Sequence, residues 1–177
     1  MAILSAATGQ AAATGQERLF YPIGAADTRM ANDPAGNTRL SSSIQTTCQD
    51  AARFGYLFAR RGNWDDDQVV SEGWVRNATG EPSQDLFAAY GYLWWLNRPS
   101  DFPLDAGAVE LFADHAAAVD GQRQLVPGAP DDMYWAVGAF GQIIQVHPTP
   151  TRSSSGSAVP SLRDHPGHDF PVTRPRW

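Results

Sequence analysis

The longest apolar run of the chain, residues 86–96, is the feature that most constrains its fold. Its eleven residues are aromatic or aliphatic apart from Gly91. A membrane-spanning helix needs about 20 such residues, so the run predicts a segment buried inside a folded domain. Because aromatic side chains fit a pleated surface and Pro99 follows, we expect residues 90–97 to form a buried strand. A chain of 177 residues is long enough to bury one core around that strand.

The charges exclude two classes of partner. The formal net charge is −6, and all 13 basic residues are arginines. The diffuse positive field that attracts nucleic acid or an anionic membrane is therefore absent, and we expect neither partner. Cys48 is the only cysteine, which excludes an intrachain disulfide and a zinc site built from thiolates. We expect Cys48 to be a small buried side chain.

Composition divides the chain into three segments. Residues 1–16 are small and polar and lack the basic start and apolar stretch of a secretory signal. We expect this segment to be disordered and, in the absence of a signal, the protein to be cytoplasmic by default. Residues 149–177 combine a serine run with five prolines and no aliphatic periodicity, so we expect a disordered tail. Residues 17–148 remain for the folded domain.

Two helices and several strands are predicted inside the domain. Thr46 or Thr47 caps a helix whose apolar residues recur at helical spacing up to Gly62, and Ser71 caps a shorter one. Three further strands are predicted at residues 69–70, 134–140 and 143–147, the last two joined near Gly141, with a further strand near residues 122–126. A pair such as 134–140 with 143–147 normally belongs to a larger sheet.

Four segments, in this order, resemble one family of serine hydrolases. They are TTCQDAARFGYL at 46–57, QVVSEGWV at 68–75, YGYLWWLN at 90–97 and AVGAFGQIIQVHP at 136–148. The family comprises class C β-lactamases, penicillin-binding proteins, family VIII esterases and nylon-oligomer hydrolases. The resemblance implies an α/β (α+β) fold, the C-terminal part of a β-lactamase-like domain in which helices flank an antiparallel sheet.

The resemblance also implies acyl-serine chemistry on a small-molecule ester or amide, without a cofactor. In such enzymes the serine of Ser-x-x-Lys is acylated, and the lysine and a Tyr-x-Asn tyrosine transfer its proton. This chain has no lysine and no Tyr-x-Asn. Both motifs precede the matched region in the family, so we expect a C-terminal fragment that is inactive alone and lacks an N-terminal half.

The third motif of the family is partly present at residues 136–138. Of its residues only Gly138 is kept, where a glycine allows substrate to approach the backbone. The resemblance implies that the Ala139 N–H stabilises the oxyanion. It also implies that part of Tyr92, Trp94 and Trp95 lines the acyl pocket. From the residues alone, an ordinary turn and bulge is the favoured interpretation of Gly138 and Gly141.

The tail departs from the family where another valine-rich strand is expected. Plausible codons for residues 152–157 give Val-Val-Val-Arg-Leu-Gly in another reading frame. This suggests a frameshift near Pro148.

Other constellations favour no metal or catalytic site. Asp164, His165, His168 and Asp169 are separated by Pro166 and Gly167, so a solvated tail is the better interpretation. Asp65–Asp67 lack the spacing of a calcium loop and predict an exposed turn, and Asp114–His115 have no serine elbow to complete a triad. Two alternatives to the hydrolase stay open, namely an aromatic-rich ligand-binding module, because the chain has six tryptophans, and a non-functional gene fragment.

Overall fold

The computed structural model describes residues 15–34, 39, 44–83, 89–99, 117–119, 122–138 and 141–148. The predictions of disorder at residues 1–16 and 149–177, and of a frameshift, stay predictions, because of these residues only 15 and 16 are described. The described chain begins with a π-helical turn, Gln16–Phe20. Two α-helices follow, α1 (Cys48–Ala59) and α2 (Glu72–Gly80). The strands are β1 (Arg29–Met30), β2 (Ile44–Gln45), β3 (Asn63–Trp64), β4 (Asp67–Gln68), β5 (Trp95–Leu96), β6 (Ala117–Val119), β7 (Gln122–Gln124), β8 (Tyr134–Val137) and β9 (Ile143–Val146).

Both predicted helices are confirmed with their caps. The Thr47 hydroxyl accepts a hydrogen bond from the Asp50 N–H of α1, and the Ser71 hydroxyl accepts one from the Trp74 N–H of α2. α1 ends where Gly62 adopts a φ of +83° and donates its N–H to the Leu57 carbonyl. A side chain at Gly62 would collide with the Val70 carbonyl, so glycine is required there.

The main sheet has three antiparallel strands in the order β5-β8-β9. The predicted pairing of the last two strands is confirmed, with Tyr134 opposite Val146 and Val137 opposite Ile143. β5 lies on the other side of β8, where Trp95 is opposite Trp135. Gly141 has a φ of +84°, as expected for the connection between β8 and β9.

The prediction of one strand over residues 90–97 is wrong. Only Trp95–Leu96 is a strand, because the chain reverses at Leu93, whose φ is +65°, and Tyr90 forms a bridge to Trp95. The Gly91 N–H donates to the Trp94 carbonyl, and the Tyr92 N–H donates to the Ala78 carbonyl of α2. Backbone hydrogen bonds to a neighbouring helix therefore override the strand preference of these aromatic residues.

Two apolar clusters cover the two faces of the sheet. Successive strand residues point to opposite faces, so Leu96 and Tyr134 lie on one face and Trp95 and Trp135 on the other. The helix-side core, beneath α1 and α2, consists of Phe58, Val75, Ala78, Trp94, Leu96, Tyr134 and Val146. The opposite-face core consists of Ala89, Trp95, Leu125, Met133 and Trp135. A third cluster of Phe20, Ile23, Ala25 and Leu57 joins the start of the described chain to α1.

Three smaller predictions need comment. Val69 and Val70 do not form the predicted strand, because the hairpin of β3 and β4 already ends at Gln68. Cys48 is exposed rather than buried, because it is the first residue of α1 and lies on the solvent side of that helix. The strand near residues 122–126 exists as β7, paired with β6.

The described architecture is a mixed α+β arrangement of small antiparallel sheets and helices, and none of its helices is long and apolar enough to cross a membrane.

Replacing Gly91 by alanine tests the backbone contact that reverses the aromatic run. The new Cβ would lie 2.1 Å from the Ala78 carbonyl oxygen, which is backbone and cannot rotate away. We expect Gly91→Ala to lower the free energy of unfolding by at least about 2 kcal/mol in urea melts. Gly73→Ala in α2 is the matched control, since its Cβ meets nothing within 4 Å and should raise stability by roughly 0.5–1 kcal/mol. Equal effects would contradict this view of the turn.

We expect Tyr134 to lower the stability of the fold at alkaline pH. Burial raises the pKa of its phenol well above the ordinary value, the Asp132 charge adds to this, and a hydrogen bond with Thr79 opposes it. A phenol that ionises near pH 10 only when unfolded stabilises the fold fully below about pH 10, and this contribution falls as the pH rises further. Urea midpoints at about pH 8 and about pH 11 should therefore differ more for the native chain than for Tyr134→Phe. An identical pH dependence of the two proteins would refute this assignment.

Candidate functional site

Gly138 lies at the end of β8, where the hairpin to β9 begins. Its N–H donates to the Gln142 carbonyl over 2.8 Å, so the hairpin itself uses this donor. A Cβ added at Gly138 would lie 2.9 Å from the Gln142 side-chain oxygen, which a flexible side chain can relieve. Ala139 lies outside the described residues. The oxyanion role therefore stays a prediction, and of the two residues only Ala139 could supply the N–H.

The three predicted substrate-binding aromatics occupy three different environments. Tyr92 is 47% exposed, whereas Trp94 and Trp95 are 3% and 6% exposed. The Trp94 ring lies within the helix-side core, 4.6 Å from the Phe58 ring. The Trp95 ring belongs to the opposite-face core and lies 4.9 Å from the Tyr90 ring. The structure does not bring these three side chains together, and their binding role stays a prediction.

Tyr92 instead has a different aromatic neighbour. The Trp74 ring of α2 lies 6.4 Å from it, both rings are about half exposed, and Leu93 between Tyr92 and Trp94 is 79% exposed. We call Trp74, Tyr92 and Leu93 the aromatic corner. Since the Tyr92 N–H donates to the Ala78 carbonyl, the backbone of the corner is bonded to the end of α2. Sequence reasoning placed Trp74 on one side of a helix but gave no signal that α2 and the aromatic turn meet.

A second residue that sequence reasoning missed is Asn97. Its side chain is completely buried, and its Nδ2 donates to the carbonyls of Val126, Ala129 and Pro130 over 3.1–3.2 Å. Its Oδ1 accepts from the Val126 N–H over 2.8 Å. Asn97 therefore fixes the loop before β8 next to β5. The available signal was a lone polar side chain at the end of an apolar run.

In the described ranges, charged side chains hold parts of the fold together. No group of three or more His, Cys, Asp or Glu side chains that could hold a metal ion occurs among them. Buried Asp50 accepts hydrogen bonds from the Asp27 N–H and the Arg53 guanidinium, which ties the chain before β1 to α1. Asp65 and Asp66 form the predicted exposed turn, and Asp67, which is also exposed, begins β4. Asp114–His115 and the residues at 164–169 lie outside the described part.

The fold is similar to that of solved structures, but comparison of the sequence with protein families and curated proteins finds no match. No protein-family profile and no curated protein matches this chain. Of 21 matching solved chains, one is described as "Putative 6-aminohexanoate-dimer hydrolase from Bacillus anthracis". The similarity has a TM-score of 0.58 at 18% identity and covers 82% of this chain and 32% of that chain.

At this level of identity the similarity concerns the fold alone. The described elements share the fold of part of a hydrolase of the nylon-oligomer type, a group that the sequence resemblance includes. This chain spans about a third of the length of that protein.

Alanine substitutions of Trp94 and Tyr92 test whether these two aromatic residues differ in their contribution to stability. Trp94→Ala should lower the free energy of unfolding by about 3–5 kcal/mol, because it empties the centre of the helix-side core. Tyr92→Ala should change it by less than about 1 kcal/mol, because half of the ring already contacts solvent. Chemical denaturation followed by circular dichroism measures both. A comparable loss in the two variants would show that Tyr92 is a packing residue rather than one available to a ligand.

Proposed function

We propose that this chain forms the substrate-side part of a β-lactamase-like serine hydrolase that cleaves esters or amides through an acyl-serine. The nucleophile motif Ser-x-x-Lys and the motif Tyr-x-Asn would come from polypeptide outside these 177 residues. The observation that carries the proposal is the sheet β5-β8-β9, with α1 packed on it, in a fold shared with part of a 6-aminohexanoate-dimer hydrolase. The ordered segments at 46–57, 68–75, 90–97 and 136–148 support it independently.

Within this proposal the end of β8 supplies the oxyanion site. The Gly138 N–H already bonds to Gln142, so the donor assigned to the oxyanion is the backbone N–H of Ala139. Gly138 keeps the strand free of a side chain at this point. The chain alone carries no lysine, and we therefore assign it no acyl transfer.

Tyr92 is the residue to which we assign contact with the acyl group. Its side chain is exposed, its backbone N–H is bonded to the Ala78 carbonyl, and Trp74 and Leu93 extend its apolar surface. A linear aliphatic amide such as the 6-aminohexanoate dimer would pack its methylene groups on these side chains. We assign Trp94 and Trp95 no contact with the acyl group. They pack on opposite faces of the sheet and so fix the turn that carries Tyr92.

The aromatic corner also supports the alternative of a ligand-binding module. Two half-exposed rings about 6 Å apart are a surface on which a flat ligand can stack. Such a module would bind without any contribution from another polypeptide. The third alternative, a non-functional fragment, predicts a chain that does not unfold cooperatively.

A labelling and binding experiment tests the proposal. We expect the purified chain to form no covalent adduct with a fluorescent penicillin or a fluorophosphonate, as read by intact mass, and to hydrolyse no p-nitrophenyl ester. The linear 6-aminohexanoate dimer should change tryptophan fluorescence. The fluorescence change should be lost in Trp74→Phe, and Tyr92→Ala should weaken binding of the dimer at least about tenfold.

Tyr21→Ala is the matched control, because Tyr21 is also an exposed tyrosine, at 57% against 47% for Tyr92, but belongs to the N-terminal turn. It should bind like the native chain. A stoichiometric adduct would place a nucleophile inside this chain and overturn the account of missing motifs. Stacking of a sugar or another flat ligand, with no binding of the dimer, would favour the module.

A further inference from the structure

The Gln142 side chain lies beside the backbone of Gly138 at one end of the main sheet. The Gly138 N–H donates to the Gln142 carbonyl over 2.8 Å, so the pairing of β8 with β9 continues one step beyond the pair of Val137 and Ile143. Residues directly opposite each other in an antiparallel pair point to the same face of the sheet. Gln142 and Gly138 therefore share one face.

That face is the one beneath the two helices. Side chains alternate along a strand, so Gly138 follows Tyr134 and Ala136, which belong to the helix-side core or pack against it. On β9, Gln142 precedes Ile144 on the same face, and Ile144 lies beneath α1. Gly138 and Gln142 are both exposed. The two residues therefore form the open end of the helix-side face, where a ligand can reach them.

The Gln142 amide fills the space that the glycine leaves. A Cβ built on Gly138 would lie 2.9 Å from the Gln142 Oε1 and 3.6 Å from the Gln142 Cβ. None of the residues that the structure describes hydrogen-bonds to this side chain, in contrast to Gln145, whose Oε1 accepts the Trp135 indole N–H. A ligand that approaches the Gly138 backbone from this face therefore meets an amide oxygen that can accept a hydrogen bond.

The aromatic corner lies toward the same end of the sheet. β5 and β8 are antiparallel, with Trp95 opposite Trp135, so the chain that leads back from Trp95 to Leu93 runs in the direction of Gly138. β5 and β9 are separated by two strand spacings, about 10 Å. A ligand whose hydrocarbon part contacts the aromatic corner can therefore bring its polar group to Gln142.

We propose that Gln142 is a specificity-determining residue that selects amides over esters. The inference rests on the proposed function, which brings the scissile bond to the end of β8. A secondary amide has an N–H that can donate to the Gln142 Oε1, whereas an ester has at that position an oxygen that can only accept. The ester therefore loses the hydrogen bond and sets one acceptor against another, which lowers its affinity.

A pair of neutral ligands tests the inference on the native chain. N-propylbutanamide and propyl butanoate have the same length, and only the amide has an N–H. Titration followed by proton–nitrogen NMR measures their dissociation constants from the side-chain signals of Gln142 and the backbone signal of Gly138. We expect the amide to bind at least about threefold more tightly than the ester, the factor for a weak net hydrogen bond at an exposed site. N-methyl-N-propylbutanamide, which lacks the N–H, should bind like the ester.

Two substitutions identify the acceptor, with the Gly138 signal as the readout. Gln142→Leu has no acceptor, so amide and ester should bind this variant equally. Gln142→Glu keeps an acceptor oxygen and should keep the preference for the amide. Gln45→Leu is the matched control, since Gln45 is also exposed but belongs to β2 in another sheet, and it should bind like the native chain. If Gln142→Leu fails to fold, the N-methylated amide still decides.

Four results would overturn the inference. They are no shift at Gln142 with either ligand, equal affinities of the native chain for amide and ester, an amide preference that survives in Gln142→Leu, and its loss in Gln142→Glu, which would make the side chain a donor. Selective binding of N-propylbutanamide without binding of the 6-aminohexanoate dimer would refute the proposed function alone. Binding of the dimer with no difference between amide and ester would refute the role of Gln142 alone.

Discussion

The contact between α1 and the main sheet is the interaction on which the rest of the described structure depends. Gly55 allows α1 to approach Ile144 and Val146 closely, and Phe54 and Phe58 on either side of it reach the Trp94 ring. Phe54 stacks on Trp94 with only 10° between the ring planes. One helix face thus joins the sheet to the turn after α2.

That packing also decides which aromatic residues are available for function. With Trp94 drawn under α1, the chain must reverse before it, and the reversal leaves Tyr92 and Leu93 outside. The Ala78 carbonyl then holds Tyr92 next to Trp74. The aromatic corner is therefore a consequence of core packing and of the backbone hydrogen bond to Ala78.

Sequence reasoning was accurate where local chemistry decides structure. Caps at Thr47 and Ser71 specify helix starts because a side-chain oxygen three residues before an N–H can satisfy it without help from elsewhere. Gly141 and the flanking apolar residues specify the hairpin of β8 and β9 for a similar reason. Asn97 shows the limit. Its polarity was visible, but its four partners come from a loop about 30 residues away, and no local pattern predicts such a set.

The aromatic run shows most clearly what each level decided. By itself the sequence determined that two capped helices and a hairpin form, and that this chain lacks Ser-x-x-Lys and Tyr-x-Asn. Only the tertiary structure decided that the run folds back at Leu93 and that Trp74 joins Tyr92. The reason is physical. Strand preference is shared by the aromatic residues of the run, whereas the Ala78 carbonyl of the neighbouring helix accepts a hydrogen bond from Tyr92 alone among them.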